Sequence, residues 1–236
     1  MEKSYSNISE NLKRLRFEIG ESIQKYGRGN GGVKLMAVTK TIPVEAVNEA
    51  VRLGVDLLGE NKAQELLLKY DGYDKNVVKI HFIGHLQSNK VRQIIGKVSM
   101  IESVDGVSLA REIDKQSHKN GIKTDVLVEV NIGGEASKFG VFPQRLEELL
   151  AELSNFPHIA VKGLMAIPPF SDDVLQTEKY FSAMHELFVD IRGKNIDNVS
   201  MDVLSMGMSG DFKEAIKHGS NIIRIGTALF GARDYS

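Results

Sequence analysis

Apolar positions recur along this chain with two different periods. Ile8, Leu12, Leu15, Ile19 and Ile23 fall at three- and four-residue steps, a spacing that lays one apolar stripe along a helix. They predict an N-terminal helix ending near Gly27 and the loop Gly29-Asn30-Gly31-Gly32. Beyond it, apolar runs near residues 34–39, 55–59, 79–84, 98–103, 124–130, 160–166, 201–206 and 221–225 alternate with helical patterns, and these eight runs read as strands. Between the first two, Pro43 falls in a first helical turn, Ala46, Val47, Ala50 and Val51 form an inward face, and Gly54 is placed as a C-cap. Gly121 and Gly193 are expected to stop two further helices. The stripe Tyr180, Phe181, Met184, Leu187, Phe188 and Ile191 ahead of Gly193 reads as core packing.

Strands alternating with helices across short connections pair in parallel, either in a closed barrel or in an open doubly wound sheet. Eight repeats within 236 residues favour the barrel, a fold that takes ~250 residues and sets its sites at the carboxyl ends of its strands. The expectation is a single α/β domain over residues 1–236, a (β/α)8 TIM barrel with an extra N-terminal helix.

Composition removes several function classes. Thirty Lys and Arg against thirty-one Asp and Glu give a net charge of -1, so no chain-wide basic field draws in nucleic acid or an anionic membrane. The absence of cysteine excludes thiolate nucleophiles, disulfides and cysteine metal sites. The polar start Met1-Glu2-Lys3-Ser4-Tyr5-Ser6 lacks the apolar core of a signal peptide, and no apolar run reaches the ~20 residues of a bilayer span. A cytoplasmic location is expected. No Walker loop, GxGxxG turn, paired-histidine zinc helix or nucleophile elbow occurs, and no metal site is expected.

The candidate chemistry gathers at strand ends. Lys40 closes the first strand, ahead of Thr41-Ile42-Pro43. Carbonyl addition by a lysine requires the neutral amine, hence a desolvating or cationic environment. Met206-Gly207-Met208-Ser209-Gly210 and Arg224-Ile225-Gly226-Thr227 each follow an apolar strand and open a helix, an arrangement that binds phosphate. They fall after strands seven and eight, where barrels often hold phosphate. Arg224 shares a strand side with Gly226 and is expected to face the barrel interior, where a core carboxylate such as Glu129 or Asp202, a ring nitrogen or a phosphate would partner it. Asn61 and His85 follow the second and third strands. One amine and two phosphate turns point to a phosphorylated aldehyde held as a Schiff base.

Ala37-Val38-Thr39-Lys40, Gly59-Glu60-Asn61, His81-Phe82-Ile83-Gly84-His85-Leu86-Gln87, Gly163-Leu164-Met165, Leu204-Ser205-Met206-Gly207-Met208-Ser209 and Arg224-Ile225-Gly226-Thr227-Ala228-Leu229-Phe230-Gly231 occur in this order from about residue 5 to Tyr235. Together they resemble the YggS/PROSC family of pyridoxal 5'-phosphate homeostasis proteins. That resemblance implies the barrel of the alanine racemase N-terminal domain without the racemase's second, β-rich domain. It implies Lys40 as the Schiff-base lysine, Ser209, Gly226 and Thr227 on the phosphate, Arg224 by the pyridine nitrogen, and Asn61, His85 and Met165 lining the ring pocket. It further implies a monomer that holds pyridoxal phosphate without turnover, with PLP-dependent apo-enzymes as recipients. A racemase-like enzyme acting on an amino acid is the alternative. A cofactor-free aldolase is disfavoured by the position of its lysine on the first strand.

Overall fold

The computed structural model describes residues 5–26 and 32–232. The expected helix stop at Gly27 and the loop residues Gly29, Asn30 and Gly31 lie outside them. Eight strands, β1 (Lys34–Val38), β2 (Leu57–Glu60), β3 (Lys79–Phe82), β4 (Met100–Val104), β5 (Thr124–Glu129), β6 (Ile159–Met165), β7 (Val199–Ser205) and β8 (Ile222–Ile225), pair in sequence order. β1 also pairs with β8 in parallel, Met36 opposite Arg224, which closes the barrel. The helices are α1 (Ser6–Tyr26), α2 (Val44–Arg52), α3 (Ala63–Lys69), α4 (Val91–Ile94), α5 (Val107–Lys119), α6 (Leu146–Leu153), α7 (Val174–Lys194), α8 (Phe212–Lys217) and α9 (Thr227–Phe230).

Strand alternation divides the side chains into two environments. Outward positions such as Ala37, Leu58, Phe82, Ile101, Val128, Leu164 and Ile223 join the helices in one continuous apolar cluster. Inward positions split into smaller groups: Met36, Val38, Leu57, Ile83 and Ile222 form one, Met100, Leu127 and Met165 another, and Val203 packs against both. Among the inward residues stand the buried polar groups His81, Glu102, Glu129, Ser205 and Arg224. The stripe of α1 (Ile8, Leu12, Leu15, Ile19) is buried as expected, and the helix lies against α2, α8 and α9. Asn11 donates to the Leu229 carbonyl at 3.0 Å and Lys213 pairs with Glu18 at 2.8 Å, so α1 covers the seam where the barrel closes.

Several boundaries differ from expectation for identifiable reasons. Pro43 is the N-cap of α2 rather than part of its first turn. β2 begins at Leu57 because Gly54 takes a positive φ and the Val55 amide still bonds the Ala50 carbonyl, which makes Val55 part of the helix exit. Gly193 does not stop α7: the helix continues to Lys194, and Asn195 takes the left-handed position at φ 50°. No helix of the described residues is long and apolar enough to cross a membrane.

Candidate functional site

The turn carrying Lys40 is held from beneath by charged and hydroxyl groups. Thr39 is wholly buried, and its hydroxyl donates to Glu60 Oε1 at 2.7 Å; the Tyr73 hydroxyl reaches the same oxygen at 2.6 Å. Burial, reinforced by the adjacent Glu60 carboxylate, pushes the Tyr73 phenol far above its ordinary range, so Tyr73 serves as a neutral donor. Lys69 Nζ donates to the Thr39 carbonyl at 2.7 Å and also bonds Glu65, whose carboxylate accepts from the Thr41 amide. The Ile42 amide returns to the Thr39 carbonyl at 3.0 Å and closes a turn across Lys40 and Thr41. Thr41 has φ 64°, a left-handed conformation costly for a β-branched residue. The clamp from α3 thus sustains a strained residue next to Lys40, which is itself half-buried.

On the neighbouring strand, Arg224 is 3% exposed and points into the barrel as expected. Its direct partners are neither of the carboxylates proposed from sequence. Nη1 donates to Ser205 Oγ and Nη2 to the Ala166 carbonyl, both at 2.8 Å. Asp202 is exposed and bonds the Ser200 hydroxyl instead, because its position on β7 faces outward from the site. Glu129 is buried and acts on Arg224 through charge: burial, with help from Asp105, pushes its carboxyl up to about 7, and Arg224 opposes that rise. Burial lowers the Arg224 guanidinium, opposed by Glu102, Glu129 and Asp211.

The two glycine turns are joined to each other. Ser209 Oγ accepts from the Gly226 amide at 3.3 Å and the Ala228 amide at 3.2 Å, so backbone N–H groups at the start of α9 converge on an oxygen supplied by the β7 turn. The Gly207 carbonyl accepts from the Arg224 amide at 2.9 Å. Gly207 has φ 91°, and a Cβ there would stand 2.4 Å from the Ala215 methyl, so only glycine lets this turn lie on α8. Thr227, the first residue of α9, is exposed.

The remaining candidates occupy different layers. Asn61 and His85 line one cleft of about 270 Å³ with Lys62, Gln87 and Lys90. Gly84 makes their approach feasible, since a Cβ there would fall 2.1 Å from the Asn61 carbonyl oxygen. His85 is exposed, stacks on Phe139 with ring centroids 3.7 Å apart, and lies 4.0 Å from Asp105. Met165 is fully buried with Met100 and Leu127 in the barrel interior. Glu102, Thr39, Glu65, Lys69 and Tyr73 were not singled out from sequence. Glu102 carried a signal, a charged residue two positions from Met100 and therefore on the inward side of an apolar strand. Among the described residues, no group of three or more His, Cys, Asp or Glu is arranged to hold a metal ion.

The family model described as "Alanine racemase, N-terminal domain" matches residues 7–234. A pyridoxal phosphate homeostasis protein of Aquifex aeolicus (strain VF5) is 43% identical across 97% of this chain and 100% of its own length. The structure of PipY from Synechococcus elongatus PCC7942, with PLP bound, is similar at TM-score 0.82 and 29% identity, over 95% of this chain and all of that one. Alanine racemase from Corynebacterium glutamicum shares the fold at TM-score 0.73 and 16% identity, and this chain spans 62% of its length. With a closed barrel, an amine in the turn after its first strand and matches of this extent, the chain belongs to the pyridoxal phosphate homeostasis protein family, built on the alanine racemase N-terminal domain.

Proposed function

We propose that this chain binds pyridoxal 5'-phosphate at the carboxyl end of the barrel and carries or buffers it in vitamin B6 homeostasis, without turnover. The observation that carries this reading is the pairing of β1 with β8, which sets the strand that leads into Lys40 beside the strand bearing Arg224 and leading to Gly226, whose amide bonds Ser209. The residues fit the group. The Gly226 and Ala228 amides that converge on the Ser209 oxygen suit a phosphate oxygen, and Thr227 lies exposed between them. Lys40 is the amine for the aldehyde, and Arg224 is the cation for the ring nitrogen; Asn61, His85 and Met165 are assigned to the ring pocket.

Bound pyridoxal phosphate supplies an aldehyde that condenses reversibly with an amine and a ring that withdraws electrons when its nitrogen is protonated. Arg224 disfavours that protonation. The clamp through Lys69, Glu65 and Glu60 fixes the backbone on either side of Lys40. Racemisation needs a proton acceptor on one face of a substrate and a proton donor on the other, and this chain spans 62% of the Corynebacterium glutamicum racemase. A monomeric, cytoplasmic carrier that delivers to PLP-dependent apo-enzymes is the resulting picture.

The test is to load the purified chain with pyridoxal phosphate, dialyse, record its visible spectrum, and incubate it with amino acids in deuterium oxide. Retained cofactor with α-proton exchange no faster than free pyridoxal phosphate is the expected result. Exchange at enzymatic rates would make the chain racemase-like, and failure to retain the cofactor would remove both readings.

A further inference from the structure

A hydrogen-bonded chain crosses the inside of the barrel. Arg224 Nη1 donates to Ser205 Oγ at 2.8 Å, and Ser205 Oγ donates to Glu102 Oε2 at 2.6 Å. Glu102 Oε1 lies 2.6 Å from His81 Nδ1. Ser205 and Glu102 have no exposed surface, and His81 is 6% exposed. β4 and β7 are not neighbours in the sheet, so the Glu102–Ser205 contact is made through the lumen. At its far end His81 borders a cleft of about 270 Å³ that it shares with Lys34, Asp56, Lys79, Ser99 and Asp125, residues at or near the beginnings of their strands. The chain therefore leads from the amino face of the barrel to the guanidinium at the carboxyl face.

A barrel interior is ordinarily filled with branched apolar side chains, and buried charges are seldom more stabilising than such packing. Here two small apolar groups, Met36, Val38, Leu57, Ile83 and Ile222 and, separately, Met100, Leu127 and Met165, share the lumen with these polar groups. Packing gains nothing from this arrangement, but Arg224 does. A guanidinium has five donors in one plane, and Ser205 and the Ala166 carbonyl fix two of them, Ser205 being oriented in turn by Glu102.

We infer that Ser205, Glu102 and His81 form a strut of positioning residues that fixes the plane and charge of the Arg224 guanidinium toward the ring of bound pyridoxal phosphate. This rests on the cofactor reading above. The charged groups acting on Arg224 are Glu102, Glu129 and Asp211. Those around His81 are Glu102 across the lumen and Lys34, Asp56, Lys79 and Asp125 around the cleft.

The test uses the full chain and the variants Glu102→Gln, which keeps the side-chain shape, and Ser205→Ala, which keeps the proposal falsifiable if the first does not fold. In protein without cofactor, arginine-labelled NMR is expected to show one set of slowly exchanging Arg224 side-chain N–H resonances in the wild type. That ordering is expected to be lost in both variants. With pyridoxal phosphate added to the variants, the pH midpoint of the visible band of the bound cofactor is expected to move by about one unit and the dissociation constant to rise, while borohydride still traps the cofactor on Lys40. Wild-type Arg224 resonances and an unmoved pH midpoint in a folded variant would overturn the strut. If wild-type protein shows the ordered Arg224 resonances but binds no pyridoxal phosphate, the cofactor reading falls and the hold on Arg224 stands.

Discussion

The outside and the inside of this barrel are built by opposite rules. Outside, strands and helices share one apolar cluster in which Leu58, Phe82, Ile113, Leu150 and Phe181 are almost wholly buried. Inside, the apolar residues fall into separate small groups, and His81, Glu102, Glu129, Ser205 and Arg224 are buried among them. The shell supplies the closed, rigid ring. The interior accepts costly polar groups because that ring holds them in register, and so it can present a cation and an amine at one end. Changes to the shell should therefore alter stability, and changes to the interior and its rim should alter the site.

The sharpest break of that division is in the shell. Phe181→Ala removes a fully buried ring from α7 and is expected to cost about 3–5 kcal/mol of stability, read from the urea midpoint, while protein that stays folded keeps its affinity for pyridoxal phosphate. Glu129 gives the next effect. Its carboxyl titrates near 7 in the folded chain against 4.5 for an ordinary glutamate, so between those values the folded chain retains a proton that the unfolded chain releases. The contribution of Glu129 is complete below pH ~4.5 and is lost as pH rises through ~7, a span of roughly 3 kcal/mol. The difference in unfolding free energy between wild type and Glu129→Gln, followed from pH 5 to 7.5, should show that slope; a flat difference would place Glu129 outside the low-dielectric interior. Thr41→Gly is the smallest and runs in two directions. Relief of the left-handed threonine is expected to raise stability by up to ~1 kcal/mol, while the looser turn weakens cofactor binding several-fold, as measured by titration. A loss of stability would mean that the turn carries no strain.

Most of the shell was legible in the sequence because each strand and helix announces itself locally. The alternation around Ala37 and Leu58 and the stripe of Ile8, Leu12, Leu15 and Ile19 need no knowledge of distant partners. Errors fell where a local signal has two physical outcomes. Gly193 can stop a helix or ride on its exposed face, and Asn195, whose side chain bonds the Gly193 carbonyl at 3.2 Å, took the left-handed position instead. At the candidate site, the positions of Lys40, Ser209 and Arg224 at strand ends were legible because strand ends mark themselves. The groups behind them were not. Glu102 meets Ser205 across 103 residues, and Thr41 meets Glu65 across 24; only the closed register brings such pairs together. Asp202 was one of two carboxylates offered as partners for Arg224, and it is exposed and bonded to the Ser200 hydroxyl instead.

The site itself is tested most directly by reducing the chain with borohydride in the presence of pyridoxal phosphate and mapping the modified peptide by mass. One pyridoxyl group on Lys40, absent from Lys40→Ala that unfolds at the wild-type midpoint, is the expected result. Label scattered over surface lysines, or the same yield in Lys40→Ala, would contradict the assignment of this barrel mouth as the cofactor site.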